Sequence, residues 1–214
     1  MNRLAYFSCL LGAFTFSTGV LAAPVEYSLV PQQSLIYVQV FKDPNTMGAG
    51  LSHDHVVKAT GWRGSVTWDA EDISACKVSI TVPVSGLVID ESSMREQVGY
   101  DAMLSDSQRG DVREKMLSSG QLDGDSFSEI SFNSTGCTES GTTVNVAGTM
   151  KLRGKQAKVV AQMKITADGE SFKANGTMKT QGTKFGMEPF SAMFGQLKNQ
   201  DDLQFTIRVK GSGK

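Results

Sequence analysis

Residues 144–165 read VNVAGTMKLRGKQAKVVAQMKI. In the first half Val144, Val146, Met150 and Leu152 share one parity; in the second Ala157, Val159, Ala161, Met163 and Ile165 share another. Successive side chains of a strand point to opposite faces, so each half is a strand with one apolar face. The Arg153–Gly154 pair between them is a turn, and the whole reads as an antiparallel hairpin.

The same period of two runs outward through most of the chain. Downstream, FKANGTM sets Phe172, Ala174 and Met178 on one face, and LQFTIRV does so for Leu203, Phe205, Ile207 and Val209. Upstream, CKVSITVPV aligns Cys76, Val78, Ile80, Val82 and Val84, and WRGSVTW aligns Trp62, Val66 and Trp68. EISFNST adds a strand carrying Phe132. In SLIYVQVF one face holds Ile36, Val38 and Val40, yet Leu35, Tyr37 and Phe41 make the other apolar as well. About eight or nine strands joined by short glycine-containing turns predict an all-β architecture, an antiparallel sandwich or a closed barrel. A barrel of about eight strands can enclose a small ligand. No nucleotide-binding glycine pattern and no helical heptad interrupts this reading.

Two segments depart from it. Within Ser92–Ser119, DSQRGDVREKMLSSG carries Val112, Met116 and Leu117 at helical spacing, which predicts a short helix packed on the sheet. FGMEPFSAMFGQL carries Phe190, Met193, Phe194 and Leu197 at three- and four-residue spacing. A helix there would either pack on the sheet or close a barrel opening, with Phe190, Met193 and Phe194 as the lid.

The first 22 residues are expected to leave the protein. Arg3 precedes an apolar run from Leu4 to Phe16 and then small residues before Pro24, the layout of a secretory signal peptide. Proline after the scissile bond is a poor substrate position, which places cleavage after Ala22. The run is too short to span a bilayer comfortably, no later segment is long and apolar enough, and FSCL around Cys9 does not match a lipoprotein lipobox. The expected product is a soluble exported domain, residues 23–214, in the periplasm or outside the cell. The full chain has net charge −1. Without a basic cluster it has no electrostatic footprint for nucleic acid or an anionic membrane surface. Oligomeric state is open, and a dimer is compatible with the sequence.

Cys76 and Cys137 are the two thiols outside the leader, and an even number in an exported chain predicts a disulfide rather than two buried free thiols. Antiparallel pairing of Cys76–Val84 with Glu129–Cys137 brings both to one end. The parity is off by one, which a bulge at Gly136 would correct. The chain's two histidines, His53 and His55, lie in GLSHDHVV. As a metal site they supply two ligands where three or four are needed, with no spaced carboxylate cluster to complete the set. A polar rim whose imidazoles bond backbone or a ligand head group is favoured, over a metal-binding protein or an enzyme. No Ser–His–Asp or paired-carboxylate arrangement is visible, so no catalytic residue is assigned.

The order of these segments resembles the YceI-like family, exported lipid-binding barrels related in architecture to lipocalins. The resemblance spans roughly Tyr27 to Val209. It is carried by SLIYVQV, by GWRGSVTWDAEDISACKVSITVPVSGL, by VREKMLSSGQLDGDSFSEISFNST, by VNVAGTMKLRGKQAKVV, and by FKANGTMKTQGTKFGM ending in Phe-Gly-Met. Departures mark a divergent branch: Arg113-Glu114 stands where the family has Arg-Asp, and the single Phe127 stands for a doubled aromatic. The paired histidines and the insertion MEPFSAMFGQLKNQ are also less usual.

The resemblance implies an extended antiparallel barrel of about eight strands, with one or two short helices. It would hold a polyisoprenoid, a prenyl quinone or a similar long apolar chain, with no other cofactor. Methionine suits such a flexible ligand, and Met150, Met163 and Met178 sit on apolar strand faces. The expected interior comprises Ile36, Val38, Val40, Val66, Trp68, Val78, Ile80, Val82, Phe132, Met150, Met163, Phe172, Met178, Phe205 and Ile207. The competing expectation is a solid barrel acting as a stress or interaction module without a ligand.

Overall fold

The computed structural model describes residues 23–100 and 103–214; the expected signal peptide lies outside the described residues. In chain order the elements are β1 (Val25–Leu29), β2 (Leu35–Lys42), β3 (His55–Ala59), β4 (Arg63–Trp68), β5 (Lys77–Pro83), β6 (Leu87–Ile89), α1 (Ser92–Gln97), α2 (Asp106–Leu117), β7 (Glu129–Ser140), β8 (Thr143–Leu152), β9 (Lys155–Ala167), β10 (Ser171–Gln181), β11 (Ser191–Ala192) and β12 (Leu197–Gly213). The eight strands read from alternation are all present. The added ones, β1, β3, β6 and β11, are each five residues or shorter, too brief for a period of two to stand out.

Pairing follows β1–β4–β5–β7–β8–β9–β10–β12, and β1 returns to β12 to close an eight-stranded antiparallel ring. Strand β12 is long enough to serve two neighbours. Its last residues, Gly211–Gly213, pair with β1, while Arg208 back to Asn199 pairs with β2. From there β3 and β6 continue the wall. The inward parity of every strand but the two-residue β11 feeds one core. The outer face of β2 is apolar for a separate reason. Tyr37 packs there with Val56 and Met94 of α1, and Leu35, Val98 and Tyr100 border them.

Helix α2 starts with a reciprocal cap. Gln108 N–H donates to Ser105 Oγ at 3.3 Å, and Ser105 N–H donates to Gln108 Oε1 at 2.9 Å, satisfying two amides the first turn leaves unpaired. The helix does more than pack on the sheet, which corrects the simpler expectation. Val112 and Met116 face the barrel interior and cover one end of it. The segment after β10 is not an α-helix: a single 3-10 turn, Gly182–Phe185, leads out of the strand. A short hairpin follows, in which Ser191 and Ala192 pair with Lys198 and Leu197, and Met193 and Phe194 turn it with positive φ values of 49° and 55°. Helical spacing and a tight apolar tip look alike in sequence.

Turn chemistry matches the opening hairpin. Arg153 and Gly154 have φ values of 50° and 71°, the two-residue geometry that follows strand twist. Gly154 is constrained twice, because a Cβ there would also lie 2.5 Å from the Phe127 ring. Gly154→Ala is therefore expected to cost at least the ~1–2 kcal/mol of a left-handed L-residue. A denaturant titration reading under half a kilocalorie would show that the ring moves freely and the turn relaxes.

Cys76 and Cys137 form the disulfide, their α-carbons 5.9 Å apart. β5 and β7 pair as expected, from Ser79↔Asn133 to Pro83↔Glu129. The register break lies between Ser134 and Gly136, so Thr135 is the extra residue and Gly136 only flanks it. Gly136 has neither positive φ nor a crowded Cβ position; glycine is not what makes this bulge.

Candidate ligand cavity and its polar corner

The inward faces do not fill the barrel. They surround a cavity of about 580 Å³ that opens at one end, within the size range of small-molecule sites. Its wall is apolar over most of its depth. Every expected interior position lines it except Trp68. Parity places Trp68 inward correctly, but parity carries no depth. Phe172 lines the cavity and serves as its floor, with the Tyr27 ring packed on it at 5.3 Å. Val66 pairs with Tyr27 at that level, whereas Trp68 pairs with Val25 one step beyond, so Trp68 packs beneath the floor. Neither cysteine lines the cavity.

The mouth is polar and mixed in charge. Asp111 and Lys115 reach it from α2, and Glu188 and Pro189 from the segment before β11. The break in the β2–β12 register between Asn199 and Leu203 pushes Gln200 and Asp201 to the rim. Of the expected lid, only Phe190 takes part: it lines the mouth and lies under the Lys115 ammonium at 5.8 Å. Met193 and Phe194 do not. They sit at the exposed hairpin tip, Phe194 without cover, because that hairpin projects past the rim.

The histidines separate. His55 opens β3 with the inward parity of Val57 and lines the cavity; His53 precedes the strand and does not. Burial lowers the His53 pKa, helped by the positive surroundings of His55, Arg95 and Lys42. The His55 ring is held by residues that sequence reasoning missed. Its Nδ1–H donates to Asp90 Oδ2 at 2.6 Å. Asp90 Oδ1 accepts from Val56 N–H at 3.0 Å and from Arg95 Nη1 at 2.8 Å. The same Arg95 nitrogen donates to the Asp54 carbonyl at 2.8 Å, and the guanidinium lies 5.2 Å from the Tyr100 ring. Asp90 and Arg95 are almost fully buried. Burial alone would raise the Asp90 pKa; the bonds from His55, Val56 and Arg95 outweigh it and hold the carboxyl below its ordinary value. The signal is in LVIDESSMREQ, where an aspartate directly follows an apolar strand and an arginine lies five residues on.

As for metal chemistry, no group of three or more His, Cys, Asp or Glu among the described residues is placed to share an ion. His55 Nδ1 is already engaged by Asp90. What the arrangement can do is enclose an apolar chain and present oriented polar atoms where that chain would end. No helix among the described residues is long and apolar enough to cross a membrane.

Known proteins bear on the fold. The Burkholderia cenocepacia protein BcnA superposes with a TM-score of 0.63 at 12% identity, covering 85% of this chain and 98% of its own. A Campylobacter jejuni YceI protein superposes with a TM-score of 0.54 at 10% identity, covering 74% and 84% respectively. At such identities the likeness concerns the barrel alone. Among curated proteins none matches the chain. The sequence model of the YceI-like domain matches residues 27–210, from within β1 to three residues short of the end of β12. The chain belongs to the YceI-like family.

Proposed function

We propose that this is an exported binding protein, matured by cleavage after Ala22 to a single barrel domain. It holds a long apolar chain, a polyisoprenoid, prenyl quinone or similar lipid, for transport, storage or sequestration in the periplasm or outside the cell. The observation that carries this reading is the open apolar cavity, where a solid module would have filled the same space with side chains. Each buried methylene of a guest contributes ~0.8 kcal/mol, so part of a prenyl tail reaches micromolar affinity after ordering costs. The role is binding, and no residue is assigned to catalysis.

Native mass spectrometry of protein recovered after export tests it. A co-purified lipid of long-chain mass is expected, and Ala174→Trp, which fills the cavity wall, should reduce its occupancy. Ligand-free protein that also takes up no added prenyl quinone or polyprenyl lipid would overturn the proposal.

A further inference from the structure

Within an otherwise apolar wall, one buried polar network ends on a single cavity-facing ring, His55. We infer that His55, oriented by Asp90 and Arg95, is a head-group site for a hydroxyl-bearing chain, a prenyl alcohol or a prenyl hydroquinone, rather than for an anionic or carbonyl head. This rests on the carrier reading above and assigns the chemistry of the ligand's polar end.

The argument follows from who can donate. An ionised carboxylate only accepts, and Asp90 is held in that form by Arg95 and the Val56 amide. The hydrogen in the 2.6 Å contact therefore belongs to His55 Nδ1, and in the neutral ring Nε2 is left as an acceptor. An acceptor selects a donor. A hydroxyl supplies one; a quinone carbonyl, a carboxylate or a fully ionised phosphate does not.

The mouth favours the same class. Asp111, Glu188 and Asp201 face it against Lys115, an excess of negative charge that repels an anionic head. Asp201 is itself satisfied by Thr183, whose N–H and Oγ1 donate to its two oxygens, so it remains a fixed negative neighbour. Depth agrees as well: His55 pairs with Val40, directly below the rim, with the apolar wall extending from there to Phe172. A chain lying along that wall with its hydroxyl at His55 would leave nothing polar in the interior.

The test compares ligands of equal chain length at a pH well above the ordinary histidine range: a headless hydrocarbon, a prenyl alcohol, its carboxylic acid and its phosphate monoester, and separately a prenyl hydroquinone and its quinone. Displacement of a fluorescent fatty probe from the full exported protein reads the affinities. The alcohol is expected to bind about fivefold or more tightly than the hydrocarbon, the factor one neutral hydrogen bond is worth, and to outrank the acid and the phosphate. Hydroquinone over quinone in the same ratio would identify the redox lipid as the source; preference for the alcohol alone would identify the prenol. His55→Phe, which keeps the ring and removes the acceptor, should erase the alcohol's advantage while leaving hydrocarbon binding unchanged. The ligand ranking on the unmodified protein decides the matter even where that variant does not fold. Tightest binding of the phosphate or the acid, or an alcohol advantage that survives in His55→Phe, overturns the head-group assignment alone. Failure of every chain to bind overturns it together with the carrier reading.

Discussion

Asp90→Ala is expected to lose about 3–5 kcal/mol of stability, the cost of removing one partner from a buried ion pair. The residue is almost fully enclosed, and so is Arg95. Without the carboxylate, Arg95 loses its ion pair with Asp90, the Val56 amide loses its acceptor and His55 loses its orientation. Domains of this kind are stable by about 5–15 kcal/mol, so the loss is a large fraction of the whole. The control is Asp90→Leu combined with Arg95→Met, which removes both charges and should lose less than the single variant, although the Val56 amide still lacks its acceptor. Urea denaturation of the three proteins measures the difference. A single variant within 1 kcal/mol of the parent would show that the network contributes little.

The same network sets an acid limit. Asp90's carboxyl lies below its ordinary value in the folded protein. Its contribution is therefore present above the unfolded pKa of about 4 and is lost as pH falls through that value toward the lower folded one. The Asp90→Leu, Arg95→Met protein should have a flatter stability profile below about pH 4 than the parent.

The second large effect concerns the crosslink. Cys76 and Cys137 are separated by 61 residues, and the chain-entropy model assigns roughly 4 kcal/mol to closing a loop of that size. Replacing both with serine should lower the denaturation midpoint accordingly yet leave ligand affinity in place. The bond joins the residue just before β5 to β7, at the opposite end from the mouth, and neither cysteine lines the cavity. A variant that keeps its stability but loses its ligand would reverse that assignment of roles.

How much of this was readable beforehand divides along a physical line. Local periodicity reports which way a side chain points, so the wall from Ile36 to Ile207 was legible. It does not report height along the barrel, so parity sets Trp68 beside Val66 although it lies below the floor. Nor does it separate a helix from a hairpin with an apolar tip, so Met193 and Phe194 look like part of a lid. His55 stands out as one of two histidines. Asp90 and Arg95, 35 and 40 positions away, meet it only because β6 pairs with β3 and α1 follows directly. Nonlocal partners of a polar side chain leave no period to detect. The apolar outer face of β2 is visible in Leu35 and Tyr37, but the sequence does not say what covers it; in the fold α1 does.

The division of β12 between β1 and β2 has a consequence for time rather than shape. Ring closure joins Tyr27 to Gly213, the first and last strands in order of synthesis. Contacts this remote in sequence carry a large loop-closure entropy and make folding slow, on the scale of milliseconds to seconds for β-rich chains. Until β12 arrives, β2 and β10 lack their shared neighbour and the interior stays open along one side. A chain ending before β12 retains the partners of the β7–β10 meander but cannot close the ring. Enclosure of the cavity is thus coupled to completion of the polypeptide, and the last strand acts as its clasp.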